Sequence, residues 1–411
     1  MSKASTANEY DLLIVGGGLV GASLAAALAP LPLKVAVVEA VAFGSRAQPS
    51  FDDRITALSE GSRRIFESMG VWAGIGSEAH PIRHIHVSDR GRFGATRLHA
   101  EEAGVEALGY VTPNRAIGKA LMDFIAGRDN IALHAPAKLK SFSVSKDAVR
   151  AELEAAGPMT LGARLLIAAD GAQSEIRRQL GIAGQKWDYA QTAVVCNVCV
   201  ERPEADTAFE RFAADGPVAL LPLGGERYGF VWVVATDQAP ALLGLDDAAF
   251  LEQAAARFNG RLGRFTQVGK RVSYPLSMVR AESQQAERTL IIGNAAHSLH
   301  PIAGQGFNLS LRDVAMLAEV ISDAQRAGED LGAVQVLARY VDARVGDQRG
   351  TALFTDVLNR LFANPLMSVA FGRNMGLLAL ELLPGARRTL MRHNMGLGGR
   401  LPKLARGLPL S

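Results

Sequence analysis

The sequence contains little cysteine. Cys196 and Cys199 are the only two cysteines among 411 residues. Their C-x-x-C spacing is compatible with a redox or a metal site. However, the residues around them predict a strand, on which side chains three positions apart point to opposite faces. We therefore expect two free thiols and a reducing, cytoplasmic compartment.

Long apolar runs are also missing. No stretch of about 18 uncharged apolar residues occurs, so no membrane-spanning helix is predicted. The residues ahead of the first predicted strand lack the pattern of a secretory signal. Hydrophobic residues make up 48% of the chain and charged residues 21%, a balance that excludes a disordered protein. A chain of 411 residues exceeds the usual size of one hydrophobic core, which predicts two interleaved domains.

Acidic residues are scarce near the end of the chain. Between residues 360 and 411, eight bases accompany one acid, Glu381, although the whole chain carries a net charge of only +3. Such a basic segment, also rich in leucine and methionine, can lie on an anionic membrane surface or dock on a protein partner. A terminal helix pair with a solvated basic face explains it equally well. Oligomerisation stays open, and we expect no nucleic-acid partner.

The strongest motif lies between Tyr10 and Glu39. An apolar strand ends in the glycine pattern G-x-G-x-x-G, an alanine-rich helix follows, and a second strand ends in an acid. The first glycine permits a sharp turn, the second lets a pyrophosphate approach the backbone, and the third lets the helix pack on the sheet. The acid can accept hydrogen bonds from a ribose. The motif therefore predicts a dinucleotide site made by Gly16, Gly18, Gly21 and Glu39.

Two further strand ends resemble this arrangement. The apolar run before Asp170 and Gly171 ends in an acid and a glycine, which offer a carboxylate and free backbone donors to the same cofactor. A third buried strand leads into Gly293 and Asn294 and then into a glycine pair ahead of a helix. The helix N-terminus would place positive charge beside a flat, anionic ring. We expect this segment to contribute Asn294, Pro301, Gly304, Gly306 and Asn308.

Other polar residues admit two interpretations each. Arg54 could serve the cofactor phosphates or an incoming anionic donor, or could be an ordinary exposed arginine. His297 and His300 have a spacing that could bind a metal, but no third ligand is in register, so we predict no metal site. His297 is a weak candidate for a catalytic group, and a structural role suits it better. The sequence indicates no catalytic base.

Taken together, the three motifs resemble those of the class A flavoprotein aromatic hydroxylases. Within that class, the segments around Arg54, from His297 to Asn308 and from Phe354 to Asp356 are similar to the ubiquinone-biosynthesis hydroxylases. The segments from His86 to Thr96 and from Met391 to Leu397 are most similar to the hydroxylases of 2-polyprenyl-6-methoxyphenol. The likeness covers essentially the whole chain.

The resemblance implies an α/β fold of the para-hydroxybenzoate hydroxylase type. A Rossmann-like FAD-binding domain would comprise residues 1–80, 105–182 and 285–330. An interleaved antiparallel-sheet substrate domain would comprise residues 81–104 and 183–284, and C-terminal helices residues 331–411. It also implies FAD, NAD(P)H as the electron donor, molecular oxygen and a polyprenylated phenol, which a flavin C4a-hydroperoxide hydroxylates.

The resemblance also assigns residues. The three glycines would flank the pyrophosphate of FAD, with Glu39 on the ribose and Asp170 and Gly171 supporting the cofactor. Arg54 and Arg115 would lie near the flavin or the path of the donor, and Arg115 matches the family pattern only loosely. Asn294 occupies a position where the class usually has an aspartate; an amide can still form a hydrogen bond there, but it brings no charge.

Three functions therefore stay open. The first is a hydroxylase acting on one or another ring position of a ubiquinone precursor. The second is a flavin-dependent reductase of a prenyl substrate. The third is a catalytically silent scaffold in a quinone-making complex, which the intact glycine motifs argue against.

Overall fold

The computed structural model describes residues 9–43, 45, 52, 54–213, 215–298, 304–364 and 366–410. Within these ranges the chain forms an eight-stranded, a nine-stranded and a three-stranded sheet with helices around them.

The strands are, in chain order, β1 Tyr10–Val15, β2 Val35–Val38, β3 Ile55–Ser59, β4 His80–Ile82, β5 His84–Asp89, β6 Ala95–His99, β7 Gly109–Pro113, β8 Ile131–His134, β9 Lys138–Val144, β10 Val149–Glu154, β11 Pro158–Ala168, β12 Gly184–Val200, β13 Thr207–Phe212, β14 Val218–Pro222, β15 Arg227–Ala235, β16 Phe265–Val268, β17 Val272–Ala281, β18 Gln285–Ala286, β19 Thr289–Ile291 and β20 His297–Ser298. The α-helices are α1 Leu19–Leu28, α2 Glu60–Ser68, α3 Trp72–Gly76, α4 Ala100–Ala103, α5 Asn114–Ala126, α6 Glu175–Gln179, α7 Ala239–Leu243, α8 Asp247–Ala256, α9 Gln305–Arg326, α10 Val334–Ala363, α11 Met367–Leu382 and α12 Pro384–Asn394.

The centre of the eight-stranded sheet is parallel, in the order β19-β11-β1-β2-β8. Strand β1 is apolar throughout its buried part because both of its faces are covered. Leu12 and Ile14 point into a core shared with α1, α5 and α9, whereas Leu13 and Val15 pack toward β9 and β10 on the other face. Antiparallel β9 and β10 extend from β11. This arrangement brings the carboxyl ends of the parallel strands to one edge of the sheet.

The nine-stranded sheet has the order β20-β17-β12-β15-β14-β13-β5-β6, with β16 beside β12. Its pairings are antiparallel except between β13 and β5. Alternate residues of β12, β13 and β15, among them Cys196, Phe209 and Trp232, fill a buried core together with Phe250 of α8. Cys196 and Cys199 are free thiols on β12, and burial raises the pKa of Cys196 to about 12. The strand predicted around the two cysteines is confirmed.

The remaining elements pack around the two large sheets. In the small sheet β3-β7-β4, Ile82 and Val111 pack against Ala208 of the nine-stranded sheet. Helix α9 packs on α1 and α10, and α11 packs on β6. No helix in the described part of the chain is both long enough and apolar enough to cross a bilayer.

Candidate active site

The glycine turn follows β1 directly. Gly16 has φ +104°, and a Cβ there would lie 2.3 Å from the carbonyl oxygen of Ala169. A Cβ on Gly21 would lie 1.9 Å from the carbonyl oxygen of Gly16. Gly18 is the residue ahead of α1 and is extended, with φ −67° and ψ −172°. The three glycines therefore bring turn, helix and neighbouring strand closer together than any side chain would allow.

Glu39 reaches this turn from the end of β2. One of its carboxylate oxygens, Oε2, accepts a hydrogen bond from the Gly17 backbone at 2.7 Å, and Oε1 accepts one from Val41 at 3.0 Å. These bonds hold the carboxylate in place at the edge of the sheet. Each oxygen has a further lone pair, which can accept a bond from a hydroxyl group such as that of a ribose.

Asp170 stands beside Gly16, at the end of β11. Its Oδ2 accepts hydrogen bonds from the backbone of Glu175 and Ile176, so the side chain orients α6. Its Oδ1 is buried and has no hydrogen-bond partner in the described ranges. Buried acceptors are normally satisfied, which makes this oxygen suited to a hydroxyl group of a bound molecule. Gly171, with φ +83°, has open space where a Cβ would stand.

Asn294 lies in a 3₁₀ turn, Gly293–Ala295, just past β19. A Cβ on Gly293, which has φ +60°, would lie 3.0 Å from Val20 of α1. Asn294 itself is exposed. Because β19, β11, β1 and β2 are adjacent and parallel, Asn294, Asp170, the glycine turn and Glu39 line one edge. Such a crevice outside the carboxyl ends of parallel strands is the usual place for a dinucleotide, and these residues fit FAD.

The start of α9 faces the same region and packs against β3. Gly304 adopts φ +61° ahead of the helix, and a Cβ there would lie 3.3 Å from that of Ala57. Gly306 has nothing within 4 Å of the corresponding position. Pro301 lies outside the described residues, as do Phe51, Asp53 and His300.

Asn308 is buried in the first turns of α9. Its Oδ1 accepts hydrogen bonds from the Ser59 backbone at 2.8 Å and the Ser62 hydroxyl at 2.7 Å. Its Nδ2 donates to the carbonyl oxygens of Ala57 at 2.9 Å and Gly304 at 2.7 Å. A primary amide has two donor hydrogens and two acceptor lone pairs, and all four are used. The amide therefore sets the position of Gly304 and the helix start.

The two predicted arginines have different surroundings. Arg54 pairs with Asp52, with 2.5 Å between Nε and Oδ2, and its guanidinium lies 5.1 Å from the ring centre of Tyr274 on β17. It therefore stands where the small sheet meets the nine-stranded sheet. Arg115 is the second residue of α5 and forms an ion pair with Glu78 at 2.7 Å, with about half of its side chain exposed.

His297 belongs to a buried polar network that the sequence did not indicate. Its Nε2 lies 2.6 Å from Oδ2 of Asp313, whose Oδ1 accepts hydrogen bonds from Arg344 at 2.6 Å and Gln348 at 3.0 Å. Burial would raise the pKa of Asp313, but the neighbouring Arg344 and His297 outweigh burial and hold the pKa below its usual range. The network joins β20 to α9 and α10. The available signal in the sequence was a charged residue at helical spacing from apolar ones: Asp313 is four residues from Leu309 and Leu317, and Arg344 is four residues from Tyr340.

A cleft of about 460 Å³ opens next to Gly171, between α6 and the strands β12 and β17. Arg177 and Lys186 give it positive charge, and Arg177 is fixed by hydrogen bonds to the carbonyl oxygens of Ala295 at 2.6 Å and Ala172 at 3.0 Å. In the part of the chain that the structure describes, no group of three histidine, cysteine or acidic residues is placed to hold a metal ion.

The chain is similar to known proteins over almost its whole length. A family model described as an FAD binding domain matches residues 9–344. Ubiquinone hydroxylase UbiL of Rhodospirillum rubrum is 38% identical, with 97% of this chain and 93% of that protein covered. The 3-demethoxyubiquinol 3-hydroxylase of Escherichia coli is 32% identical, with 95% and 100% covered. The crystal structure of p-nitrophenol 4-monooxygenase PnpA from Pseudomonas putida has the same fold, with a TM-score of 0.79, 17% identity, and 95% and 99% covered.

The fold and the match together define an FAD-dependent enzyme of the aromatic hydroxylase type. The predicted α/β architecture and the predicted cofactor are confirmed. Within that class, the chain belongs to the family of FAD-dependent hydroxylases of ubiquinone biosynthesis, whose members use NAD(P)H as reductant.

Proposed function

We propose that this enzyme hydroxylates the ring of a polyprenylated phenol in ubiquinone biosynthesis, with 2-polyprenyl-6-methoxyphenol as the first substrate to test. The observation that carries the proposal is the convergence of four strand ends on one FAD-compatible edge, in a chain whose relatives are ubiquinone hydroxylases. Hydroxylation at another ring position of the same pathway is the alternative, and the relative that acts on 3-demethoxyubiquinol supports it.

The residues proposed to hold FAD have separate tasks. The glycine turn and the N-terminus of α1 would receive the pyrophosphate, and Glu39 would accept hydrogen bonds from a ribose. Asp170 and Asn294 would contact the cofactor from the neighbouring strands. Bound FAD would supply the activation of oxygen. The polypeptide would hold the phenol beside the cofactor and exclude water, and the start of α9, fixed by Asn308, would favour negative charge nearby.

The electron donor would bind in the cleft beside Gly171. Arg177 and Lys186 are suited to the phosphates of NAD(P)H, and the hydrogen bonds of Arg177 to Ala295 and Ala172 link the cleft to the proposed FAD edge. We also propose that the chain is divided into a cofactor domain and a substrate domain. The eight-stranded sheet would serve FAD, and the nine-stranded sheet would serve the phenol.

The exposed surface of the C-terminal helices suits peripheral binding to the cytoplasmic face of an anionic membrane. One face of α11 exposes Met367, Phe371, Met375 and Leu382, of which Met367 is 77% and Phe371 61% exposed. Arg388 and Arg392 are exposed on the next helix, α12. Exposed apolar side chains next to bases suit an anionic bilayer, where a prenylated substrate would also reside. The alternative is that a protein partner or a second copy of the chain binds to this surface.

Cosedimentation with vesicles separates these outcomes. We expect binding to vesicles that contain phosphatidylglycerol, weak binding to pure phosphatidylcholine, and loss of binding in Phe371→Glu. Met159→Glu, at an exposed residue of β11, is the matched control. Binding that ignores lipid charge, or that Phe371→Glu leaves unchanged, contradicts the membrane proposal.

Turnover tests the proposed function. The purified, FAD-loaded enzyme is mixed with NADH or NADPH and a short-chain prenylphenol, and oxygen uptake is measured together with the product. Hydroxylated product in step with oxygen uptake supports a hydroxylase. Donor oxidation and a reduced prenyl chain without oxygen uptake would identify a reductase, and no turnover would leave a scaffold. Mass spectrometry of the quinone precursors that accumulate in a deletion strain then identifies the ring position.

A further inference from the structure

The two faces of the nine-stranded sheet differ. One face is the buried core that contains Cys196, Phe209 and Trp232. The residues that alternate with them point to the opposite face. On that face a row of partly exposed side chains crosses six strands. Strand register places its members opposite one another in the order Val87, Glu210, Ala219, Val231, Val195 and Val272.

This second face looks toward the proposed FAD site. A Cβ on Gly229, two residues from Val231 on the same face, would lie 1.7 Å from Cδ1 of Ile55. Arg54 lies over the ring of Tyr274, which is two residues from Val272. Residues 54 and 55 thus cover the face on both sides of the row. They lead into β3, where Ala57 contacts Gly304 and accepts a hydrogen bond from Asn308.

Glu210 is the only charged member of the row. Its neighbours on the same face of β13 are apolar and buried: Ala208 packs with Ile82 and Val111, and Phe212 stacks on Phe362 of α10 with 3.7 Å between ring centres. In the ranges that the structure describes, no hydrogen bond or ion pair joins the Glu210 carboxyl to another residue. Burial raises its pKa to about 7, and no neighbouring charge contributes.

A carboxyl in apolar surroundings without a protein partner is costly unless water or a ligand satisfies it. The row offers an apolar floor of small and branched side chains, on which an aromatic ring can lie, and one acceptor at its end. A phenol has this complementary pattern, because it is an apolar ring with a single O–H donor. Ala219, directly opposite Glu210, leaves room beside the carboxyl.

We propose that Glu210 binds the hydroxyl group of the phenol substrate by accepting its hydrogen bond, and that the ring lies over Ala219 and Val231. The inference rests on the proposed function and names the substrate contact within it. Glu210 thereby sets which ring carbon faces the cofactor, since the hydroxyl is the ring's only hydrogen-bond donor.

Chemical and protein substitutions together test this contact. The FAD-loaded wild type and its variants are titrated with 2-prenylphenol and with the methyl ether of that compound, which lacks the O–H donor. Binding is measured by equilibrium dialysis. We expect the wild type to prefer the phenol over the ether, and Glu210→Leu to lose about tenfold of that preference. Glu210→Gln keeps a carbonyl acceptor and should retain part of it. Glu226→Gln, at an exposed carboxylate between β14 and β15, is the matched control.

The outcomes separate this contact from the proposed function. Equal FAD content and a cooperative thermal transition at or above the wild-type midpoint show that each variant is folded. A wild type that binds and hydroxylates the phenol, with an unchanged phenol-to-ether ratio in Glu210→Leu, overturns the contact alone. A wild type that neither binds nor converts a prenylphenol overturns the proposed function and this inference with it. A lost preference in Glu210→Leu, with the Glu226→Gln ratio unchanged, supports the contact.

Discussion

The carboxyl edge of the eight-stranded sheet and the open face of the nine-stranded sheet are two sites of different construction. The first is made mostly of backbone: Gly16 and Gly21 stand where a side chain would strike a carbonyl oxygen. The second is made of side chains that come from six strands far apart in the chain. A site built from backbone constrains residue type within a short segment, whereas a site built by strand register leaves no local pattern. This contrast predicts that substitutions at the two sites have different consequences.

The largest effect is expected at the glycine turn. In Gly21→Val, a Cβ would lie 1.9 Å from the Gly16 carbonyl oxygen, and backbone cannot move aside as a flexible side chain can. We expect the variant to be purified without bound flavin and to gain no absorbance from added FAD. Gly157→Ala is the control, since a Cβ there meets nothing within 4 Å. Normal FAD binding by Gly21→Val would contradict the proposed pyrophosphate site.

The second effect concerns the buried network behind His297. Asp313→Asn removes one of the two carboxylates that pair with the buried Arg344, the other being Asp347 at 2.6 Å, and should lower the free energy of unfolding by about 2–3 kcal/mol. The ionised Asp313 stabilises the fold at pH values above its unfolded-state pKa, and this contribution is lost as the pH falls, because the folded-state pKa is lowered. Urea denaturation at neutral pH measures the difference. Asp123→Asn, in an exposed ion pair with Lys119, should change the free energy by less than about 0.5 kcal/mol.

Glu210 should behave in the opposite way. Its folded-state pKa of about 7 lies above the ordinary value of 4.5, so the wild-type fold is fully stabilised below pH 4.5 and loses stability as the pH rises through 7. Glu210→Gln cannot ionise. We expect it to be more stable than the wild type by about 2 kcal/mol at pH 8, and equally stable near pH 4. Denaturation at both pH values measures this, and an equal difference at the two would show that the carboxyl is not buried in this way.

These contrasts explain how far the sequence could be interpreted. The glycine motif, Glu39, Asp170 and Asn294 were predicted at the ends of separate strands, and the parallel order of those strands brings them to one edge. No strand was predicted at residues 55–59, yet β3 forms there because it pairs with β7. Glu210 and the partners of His297 were not predicted, since their surroundings depend on strand register and helix packing. A sequence motif therefore predicts local backbone geometry, whereas contacts between residues distant in the chain depend on tertiary packing.

The smallest effect is expected at Arg115, which matches the family pattern only loosely and forms an exposed ion pair. Its ion pair with Glu78 joins two surface elements, and both side chains are more than 40% exposed. Such pairs contribute about 0–1 kcal/mol because water and salt screen them. Arg115→Ala should therefore change stability by less than about 1 kcal/mol, as should Glu78→Gln, and neither should alter FAD affinity measured by flavin fluorescence. A loss of FAD affinity in Arg115→Ala alone would instead place its guanidinium at the cofactor, because removing Glu78 breaks the same ion pair without removing the cation.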